Sequence, residues 1–147
     1  MIQRKQTLWL FLAALLSAGV FYFDLYRVHT TINGVDTIMS LRVSDHFPAL
    51  LIALVMCGLP FISIFFFKHR RRQVNMTMIS LFATAAFIAL MLWRGVPDFI
   101  SKLSSPPVSS TYWIGGVLPV ISLVFLVLAI VGIRKDEKLV KSVDRLR

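Results

Sequence analysis

Side chains with reactive or metal-binding chemistry are few in this sequence and form no familiar motif. His29, Asp36, Asp45 and His46 stand within one polar stretch, but their spacing matches no usual zinc-ligand pattern, and we interpret them as solvated loop residues. Cys57 is the single cysteine, which excludes an internal disulfide and a cysteine-cluster metal site. Gly-rich phosphate loops, Gly-x-Ser-x-Gly and His-Glu-x-x-His motifs do not occur. The sequence therefore predicts no enzymatic activity and no catalytic, cofactor-binding or metal site.

Most of the remaining chain is apolar. The 147-residue chain is 57% apolar and 16% charged, with a mean hydropathy of +0.77, whereas soluble proteins are about 45–50% apolar and about 25% charged. A membrane-spanning helix needs about 20 apolar residues, and its backbone polar groups must pair within the helix. Four stretches without Asp, Glu, Lys or Arg satisfy this requirement, namely residues 7–23, 47–67, 74–93 and 112–133. Four buried helices of a soluble protein are the weaker alternative, because too little polar surface would remain to cover them.

Positive charge is concentrated in three of the segments that flank these stretches. Two basic residues precede the first stretch, four lie between the second and third, and six follow the fourth, out of 16 Lys and Arg in all. Cytoplasmic segments carry the excess of Lys and Arg, so both termini are predicted to be cytoplasmic. The net charge of +9 is then a topology signal that also suits an anionic leaflet, and no nucleic-acid partner is expected. A cleavable signal peptide ending near Ala18 is the weaker alternative, because leucine stands at the outer cleavage-site position and residues 20–23 are expected to continue the helix.

The first outer loop, residues 24–46, is predicted to contain a β-hairpin. Asn33-Gly34 favours a two-residue type I′ turn, and apolar and polar residues alternate in residues 26–32 and 35–43 on either side of it. The apolar face of the hairpin is expected to rest on the helix ends and to pack on the second outer loop or on a partner, since an isolated hairpin is marginal in water. The second outer loop, residues 94–111, is rich in Pro and Ser, and its residues 102–110 cannot continue a helix and are expected to be flexible or extended.

The cytoplasmic tail, residues 134–147, has apolar residues at helical spacing, Leu139, Val143 and Leu146. It is predicted to be a short basic amphipathic helix. Such a helix lies on the inner leaflet, continues the fourth span into water, or docks on a partner.

Polar residues inside the four stretches are neutral. Charged residues within a membrane usually mark ion pathways and proton relays, and their absence from these stretches argues against a proton-coupled transporter. The neutral polar residues that remain there include Ser17, Ser63, Thr77, Ser80, Thr84 and Ser122.

The two ends of the chain carry a resemblance to a known family. Met1-Ile-Gln-Arg-Lys-Gln-Thr-Leu-Trp-Leu-Phe-Leu-Ala13 and Gly132-Ile-Arg-Lys-Asp-Glu-Lys-Leu-Val-Lys-Ser-Val-Asp-Arg-Leu-Arg147 resemble the termini of an uncharacterised membrane-protein family of Bacteroidota, a domain of unknown function with four expected spans. Lys5 and Val143 depart mildly from the usual family residues. The resemblance implies a bacterial inner-membrane location and carries over no catalytic or ligand residues.

The resemblance draws attention to the charged residues near both ends. We hypothesise that Arg4, Asp136, Glu137, Asp144 and Arg145 form a polar cluster on the inner face, where it closes the helix bundle or receives a partner.

The fold class predicted for residues 1–147 is a single all-α integral membrane domain with four transmembrane helices and a small extracytoplasmic β-hairpin between helices 1 and 2. The expected function is a structural or accessory subunit or an assembly factor of an envelope complex. The alternative is a small-molecule or lipid-handling protein with a neutral polar cavity. The expected partners are the lipid bilayer and either another membrane protein or a second copy of the chain, and no cofactor is expected.

Overall fold

The computed structural model of the chain describes residues 3–32, 35–67, 69–103 and 106–144, with the backbone alone for residues 3–5, 32 and 139–144. Helices dominate these ranges, and three short strands interrupt them. The elements in chain order are α1 (Gln3–Gly19), β1 (Tyr26–Ile32), β2 (Val35–Leu41), a 3-10 turn (Val43–Asp45), α2 (Phe47–Phe65), α3 (Arg70–Leu90), a π-helical turn (Met91–Gly95), α4 (Val96–Ser101), β3 (Ser109–Tyr112) and α5 (Ile114–Asp144).

Three helices in the described part of the chain are long and apolar enough to span a membrane. They are α2, α3 with its helical continuation to Ser101, and α5 as far as Lys138. The apolar part of α1 is shorter and runs from Gln6 to Gly19. The prediction that residues 20–23 continue this helix is wrong, because the chain turns after Gly19, whose carbonyl accepts the N–H groups of Tyr22 and Phe23, each at 3.0 Å.

The four long helices form a bundle in which each helix packs on two neighbours. α1 packs against α2 and α5, and α3 packs against the same two helices. Apolar side chains fill the interior, such as Met56 and Phe87 towards one end and Leu10 and Ile133 towards the other. Large apolar side chains also cover the outside, and Phe82 is 66% exposed. An apolar surface of this extent is unusual for a protein in water and is compatible with a membrane protein.

A three-stranded antiparallel sheet caps one end of the bundle, which we call the sheet end. The strand order is β2-β1-β3, and the register pairs Tyr26 with Leu41 and Ile32 with Val35. The predicted hairpin is therefore confirmed as to its strands and its two-residue connection, while Asn33 and Gly34 lie outside the described residues. The expected packing on the second outer loop takes the form of strand pairing, because β3 from that loop adds to β1.

The second predicted loop is more ordered than its composition indicates. The helix of α3 continues through the π-helical turn into α4, so residues 94–101 are helical where the first half of a loop was predicted from the sequence. Pro97 does not prevent this, because it stands at the start of α4, where helices tolerate proline. One face of α4 supports the sheet, since Val96 packs with Tyr26, Val28 and Leu41.

α5 continues past the apolar stretch as an unbroken helix to Asp144. The predicted tail helix is therefore continuous with the preceding apolar helix as far as residue 144, and residues 145–147 lie outside the described residues. The opposite end of the bundle from the sheet, where α5 passes Asp136, is called the tail end below.

Candidate functional site

The charged residues predicted to gather at the tail end are described in part. Asp136 and Glu137 lie on α5 beside the start of α3. Arg4 and Asp144 have helical backbones, but their side chains lie outside what the structure describes, and Arg145 lies outside it entirely.

Asp136 is the centre of a contact between three helices, which we call the tail-end cluster (Gln6, Arg70, Gly132 and Asp136). Asp136 is only 7% exposed, and its carboxylate accepts a hydrogen bond from Nε2 of Gln6. The same Nε2 donates to the Gly132 carbonyl at 3.0 Å. Nη1 of Arg70 donates to the backbone carbonyl of Asp136, also at 3.0 Å. These bonds tie α1 and α3 to α5. The Gln6 amide supplies a donor to the Asp136 carboxylate, which would be costly to bury without one.

Glu137 occupies a more open position than Asp136. Its Oε1 lies 4.0 Å from Nε of Arg71, whose side chain is 86% exposed. An exposed pair at this distance contributes little to stability. The two described acidic residues of the predicted cluster therefore differ. Asp136 is buried and bonded to Gln6 and Arg70, whereas Glu137 lies beside the exposed side chain of Arg71.

Sequence reasoning missed Gln6 and Arg70 as partners of Asp136. Gln6 carried a usable signal, because an amide at the end of an apolar helix needs a polar neighbour if it is buried. Arg70 carried none, since it stood within a basic run whose charge was explained by topology.

The neutral hydroxyls inside the bundle are bonded within the protein. Oγ of Ser122 donates to the Ala13 carbonyl at 3.1 Å and lies 2.9 Å from Oγ of Ser17. Thr77 and Thr84 donate to carbonyls one turn earlier in α3, each at 2.8 Å. Ser63 likewise donates to the Pro60 carbonyl one turn earlier in α2. Ser80 of α3 donates to the Met56 carbonyl of α2, and so links two helices.

All six of these hydroxyl side chains are fully buried. They act as contacts between and within helices, as buried hydroxyls in membrane bundles do. The neutral polar cavity considered from the sequence would need these groups to face open space, which they do not.

A second polar site, which the sequence reasoning did not single out, lies at the sheet end. We call it the carboxylate clamp (Asp24, Arg27 and Arg42). Asp24 is 7% exposed. Its Oδ2 accepts from Nε of Arg27 at 2.8 Å, and its Oδ1 accepts from Nε of Arg42 at 2.9 Å. The clamp joins the start of β1 to the segment that follows β2. Asp24 directly after the first apolar stretch, with an arginine three residues later, was the available signal.

The backbone around the carboxylate clamp links it to α5. The carbonyl of Asp24 accepts the N–H of Gly115 at 3.0 Å, and the carbonyl of Leu25 accepts the N–H of Trp113 at 3.1 Å. The guanidinium of Arg27 stacks over the Trp113 ring, 4.0 Å from its centroid, a favourable cation–π contact. The clamp therefore fixes the chain where α1, the sheet and α5 meet.

The two arginines of the clamp favour the ionised form of the Asp24 carboxylate. Burial, the largest influence, raises the pKa of Asp24, but hydrogen bonds from Arg27 and Arg42 and their positive charges together outweigh it. The net effect lowers the pKa of Asp24 from its ordinary value of 3.8. An ionised carboxylate that is held by two guanidinium groups is a structural contact and a poor proton acceptor at neutral pH.

The residues with metal-binding side chains in the first outer loop are not brought together. Among residues 3–32, 35–67, 69–103 and 106–144, no three His, Cys, Asp or Glu side chains are grouped as they would be to hold a metal ion. Asp45 instead accepts the backbone N–H of Arg42 at 2.9 Å, and Asp36 accepts from the Thr31 hydroxyl at 3.2 Å.

Comparison with known proteins gives one finding. Residues 2–146 match the protein family described as Domain of unknown function (DUF4293). No curated protein and no solved structure shows a significant match to the chain.

Proposed function

This chain belongs to the DUF4293 family, and we propose that it is a four-span protein of the bacterial inner membrane that serves as an accessory subunit or assembly factor of an envelope complex, without enzymatic activity of its own. One observation carries the proposal: in the described part of the chain β2 pairs only with β1, so the other edge of β2 is open to a partner. The fully buried hydroxyls of the bundle interior, in contrast, form internal bonds. The alternative role in small-molecule or lipid handling through a neutral polar cavity is disfavoured by the same hydroxyl bonds.

The first part of the proposal is that α1 is a fourth span. Gln6 of α1 bonds to Gly132 and Asp136 of α5 at the tail end, and Ser17 contacts Ser122 near the other end. α1 therefore runs antiparallel to α5 along most of its uncharged stretch. The apolar part of α1, Gln6–Gly19, rises about 21 Å at 1.5 Å per residue. The uncharged residues 20–23 follow it, and the two together approach the roughly 30 Å of a hydrocarbon core. With four spans and the tail end on the basic side, both termini are cytoplasmic.

Thiol labelling in intact cells tests this topology. In a Cys57→Ser background, a cysteine at His29 on the sheet is expected to react with a membrane-impermeant maleimide, whereas a cysteine at Lys138 is expected to react only after the membrane is opened. Both side chains lie at surface positions of the described chain, so the difference between them reports the side of the membrane. Labelling of the Lys138 position in intact cells would refute the topology.

The second part of the proposal concerns the free edge of β2. In the described part of the chain β2 pairs only with β1, and its Val35 and Ile38 side chains are 63% and 61% exposed. A seven-residue edge strand with exposed apolar side chains invites pairing with another strand, and proteins normally cover or disrupt such edges. We propose that a partner protein of the envelope adds an extended strand to β2, since strand addition combines backbone hydrogen bonds with side-chain contacts.

Site-specific photo-crosslinking tests the partner proposal. A photoreactive amino acid at Ile38 is expected to give a defined heteromeric adduct in cells. In a separate experiment, Ile38→Arg in a tagged copy of the chain should abolish co-purification of the same partner. His29 is the matched control, because it pairs with Ile38 in the register but lies on the central strand. Equal adducts from both positions, or an adduct whose mass equals two copies of this chain, would contradict the envelope-partner assignment.

A further inference from the structure

The carboxylate clamp contains more positive charge than its carboxylate neutralises. Arg27 directs Nε and Nη2 to one oxygen of Asp24, at 2.8 and 2.7 Å, and Arg42 directs Nε to the other oxygen at 2.9 Å. In the part of the chain that the structure describes, Nη1 of Arg27 and both terminal nitrogens of Arg42 have no acceptor. The Arg42 side chain is 66% exposed, so its terminal N–H groups are open to a ligand.

Two hydroxyl side chains flank Arg27 on one face of the sheet. Ser40 of β2 and Thr111 of β3 stand directly opposite Arg27 in the register, so the three side chains point to the same face, with Cβ atoms about 4.5–5.5 Å apart. This face is turned away from α4, because Val28 on the other face packs with Val96. Among the described residues, neither hydroxyl is hydrogen-bonded to the protein. We call this surface the clamp face (Arg27, Ser40, Arg42 and Thr111).

The donors of the clamp face suit an anion with several oxygens. Guanidinium N–H groups form strong, charge-assisted hydrogen bonds with phosphate oxygens, and the hydroxyls add neutral donors beside them. Asp24 already holds both guanidinium groups in place, so a ligand would lose less free energy in ordering them.

The nearest acidic side chain is turned towards the backbone. The carboxylate of Asp45 accepts the backbone N–H of Arg42 at 2.9 Å. Within the described ranges it forms no ion pair with the guanidinium of Arg27 or Arg42. Two guanidinium groups and one ionised Asp24 carboxylate therefore leave one net positive charge for a ligand of opposite charge.

Exposed tyrosine and tryptophan side chains occupy the sheet end around the clamp. They are Tyr22 in the turn after α1, Trp93 in the π-helical turn, and Tyr112 and Trp113 before α5. In membrane proteins such aromatic side chains lie at the level of the lipid headgroups. The guanidinium of Arg27 stacks on the Trp113 ring, so the clamp lies at the level where lipids carry their phosphates.

We propose that the clamp face binds a phosphate ester, and that the headgroup phosphate of a membrane lipid at the sheet end is its source. The inference goes beyond the accessory role proposed above. It requires the sheet end to lie at a membrane surface, but it depends neither on which side of the membrane this is nor on the partner strand at β2.

The test measures lipid retention by the full-length protein in a mild non-ionic detergent. Native mass spectrometry is expected to show phosphatidylglycerol retained roughly tenfold better than the diacylglycerol with the same acyl chains, which lacks the phosphate. Arg42→Gln should lower phosphatidylglycerol retention by roughly tenfold, because it removes a charge and the open N–H groups. Arg94→Gln is the matched control, since Arg94 is an exposed arginine of the π-helical turn outside the clamp face, and it should retain the lipid.

A second variant separates ligand binding from folding. Ser40→Ala with Thr111→Val removes both hydroxyls and leaves the bonds to Asp24 intact, so it should lower retention by roughly threefold without a change in Tm. Unchanged retention in this double variant, or equal losses in Arg42→Gln and Arg94→Gln, would overturn the proposal. Equal retention of phosphatidylglycerol and diacylglycerol would overturn it as well.

Competition with glycerol 3-phosphate identifies the source of the phosphate. If millimolar glycerol 3-phosphate leaves the lipid bound, the ligand is the lipid headgroup; if it displaces the lipid from the unchanged protein but not from Arg42→Gln, the site takes soluble phosphate esters. Failure of the proposed function is distinguishable, since it appears in the Lys138 labelling and the Ile38 crosslinking, and Ile38→Arg should leave lipid retention intact.

Discussion

Replacement of Gly115 by alanine should break the junction between α5 and the turn that follows α1. A Cβ at this position would lie 2.6 Å from the carbonyl oxygens of both Phe23 and Asp24. Ordinary contacts of a Cβ begin at 3.4 Å, so the two segments must separate by about 0.8 Å. Both neighbours are backbone atoms, which cannot rotate away as a side chain end would. The 3.0 Å hydrogen bond from the Gly115 N–H to the Asp24 carbonyl would be strained by the same movement.

The expected cost of Gly115→Ala is the sum of two effects. Overpacking against a fixed neighbour costs about 1–3 kcal/mol, and a weakened hydrogen bond costs about 1 kcal/mol. The loss of about 2–4 kcal/mol corresponds to a fall in Tm of roughly 8–16 °C, at about 4 °C per kcal/mol for a chain of this size. Thermal unfolding of the detergent-solubilised protein, followed by circular dichroism at 222 nm, measures it.

Gly58→Ala is the control for this prediction. Gly58 also lies in a helix, but an added Cβ meets nothing within 4 Å, so the expected effect is none or a gain of up to about 1 kcal/mol from the reduced backbone entropy of the unfolded chain. The prediction would be refuted if the Tm of Gly115→Ala lay within about 2 °C of that of the wild-type protein, or if the Tm of both variants fell equally. Either result would mean that the close approach of the Phe23 and Asp24 carbonyls to Gly115 does not determine the stability.

Three further predictions concern the polar contacts. Folding lowers the pKa of Asp24, so the stability that Asp24 contributes is complete above its ordinary pKa of 3.8 and is lost as the pH falls through the folded-state pKa. Asp24→Asn should therefore lower the Tm at pH 6 and lower it less at pH 3. A Tm difference that does not shrink in acid would contradict this. Asp136→Leu removes the carboxylate that the buried Gln6 amide contacts and should lower the free energy of unfolding by about 1–3 kcal/mol. A second change, Gln6→Leu, should recover most of that loss in thermal unfolding. If it recovers nothing, the Gln6–Asp136 contact does not cause the loss. A double-mutant cycle of Ser17→Ala and Ser122→Ala should give a coupling of about 0.6 kcal/mol, whereas strictly additive losses would show that the 2.9 Å contact is not energetically coupled.

The periodic parts of the fold were predictable from the sequence. Alternation of apolar and polar residues around Asn33-Gly34 identified the strand pair, and it also identified the buried face, since Tyr26 and Val28 are buried while His29 is exposed. Three of the four apolar stretches correspond to helices that are long enough to span a membrane. These successes depend on strong local signals, a period of two residues in the strands and a long uncharged run in the helices.

The parts that failed depend on contacts between distant residues. Residues 94–101 were placed in a loop, but Gly95 lies in a π-helical turn and Pro97 in the first turn of α4, so the helix continues. Ser109–Tyr112 has little local strand signal and becomes β3 because β1 offers a free edge. The tail-end cluster joins Gln6 to Asp136 across almost the whole sequence, and no local pattern could assign that partner.

The central position of β1 in the sheet has a consequence for biogenesis. β1 and β2 emerge from the ribosome together, whereas β3 follows only after α2, α3 and α4 have been synthesised. In the order of synthesis, β1 therefore lacks its second partner strand until nearly all of the helical bundle has been made. Under the proposed four-span topology, the sheet is completed only when the start of α5 reaches the same side of the membrane as the hairpin.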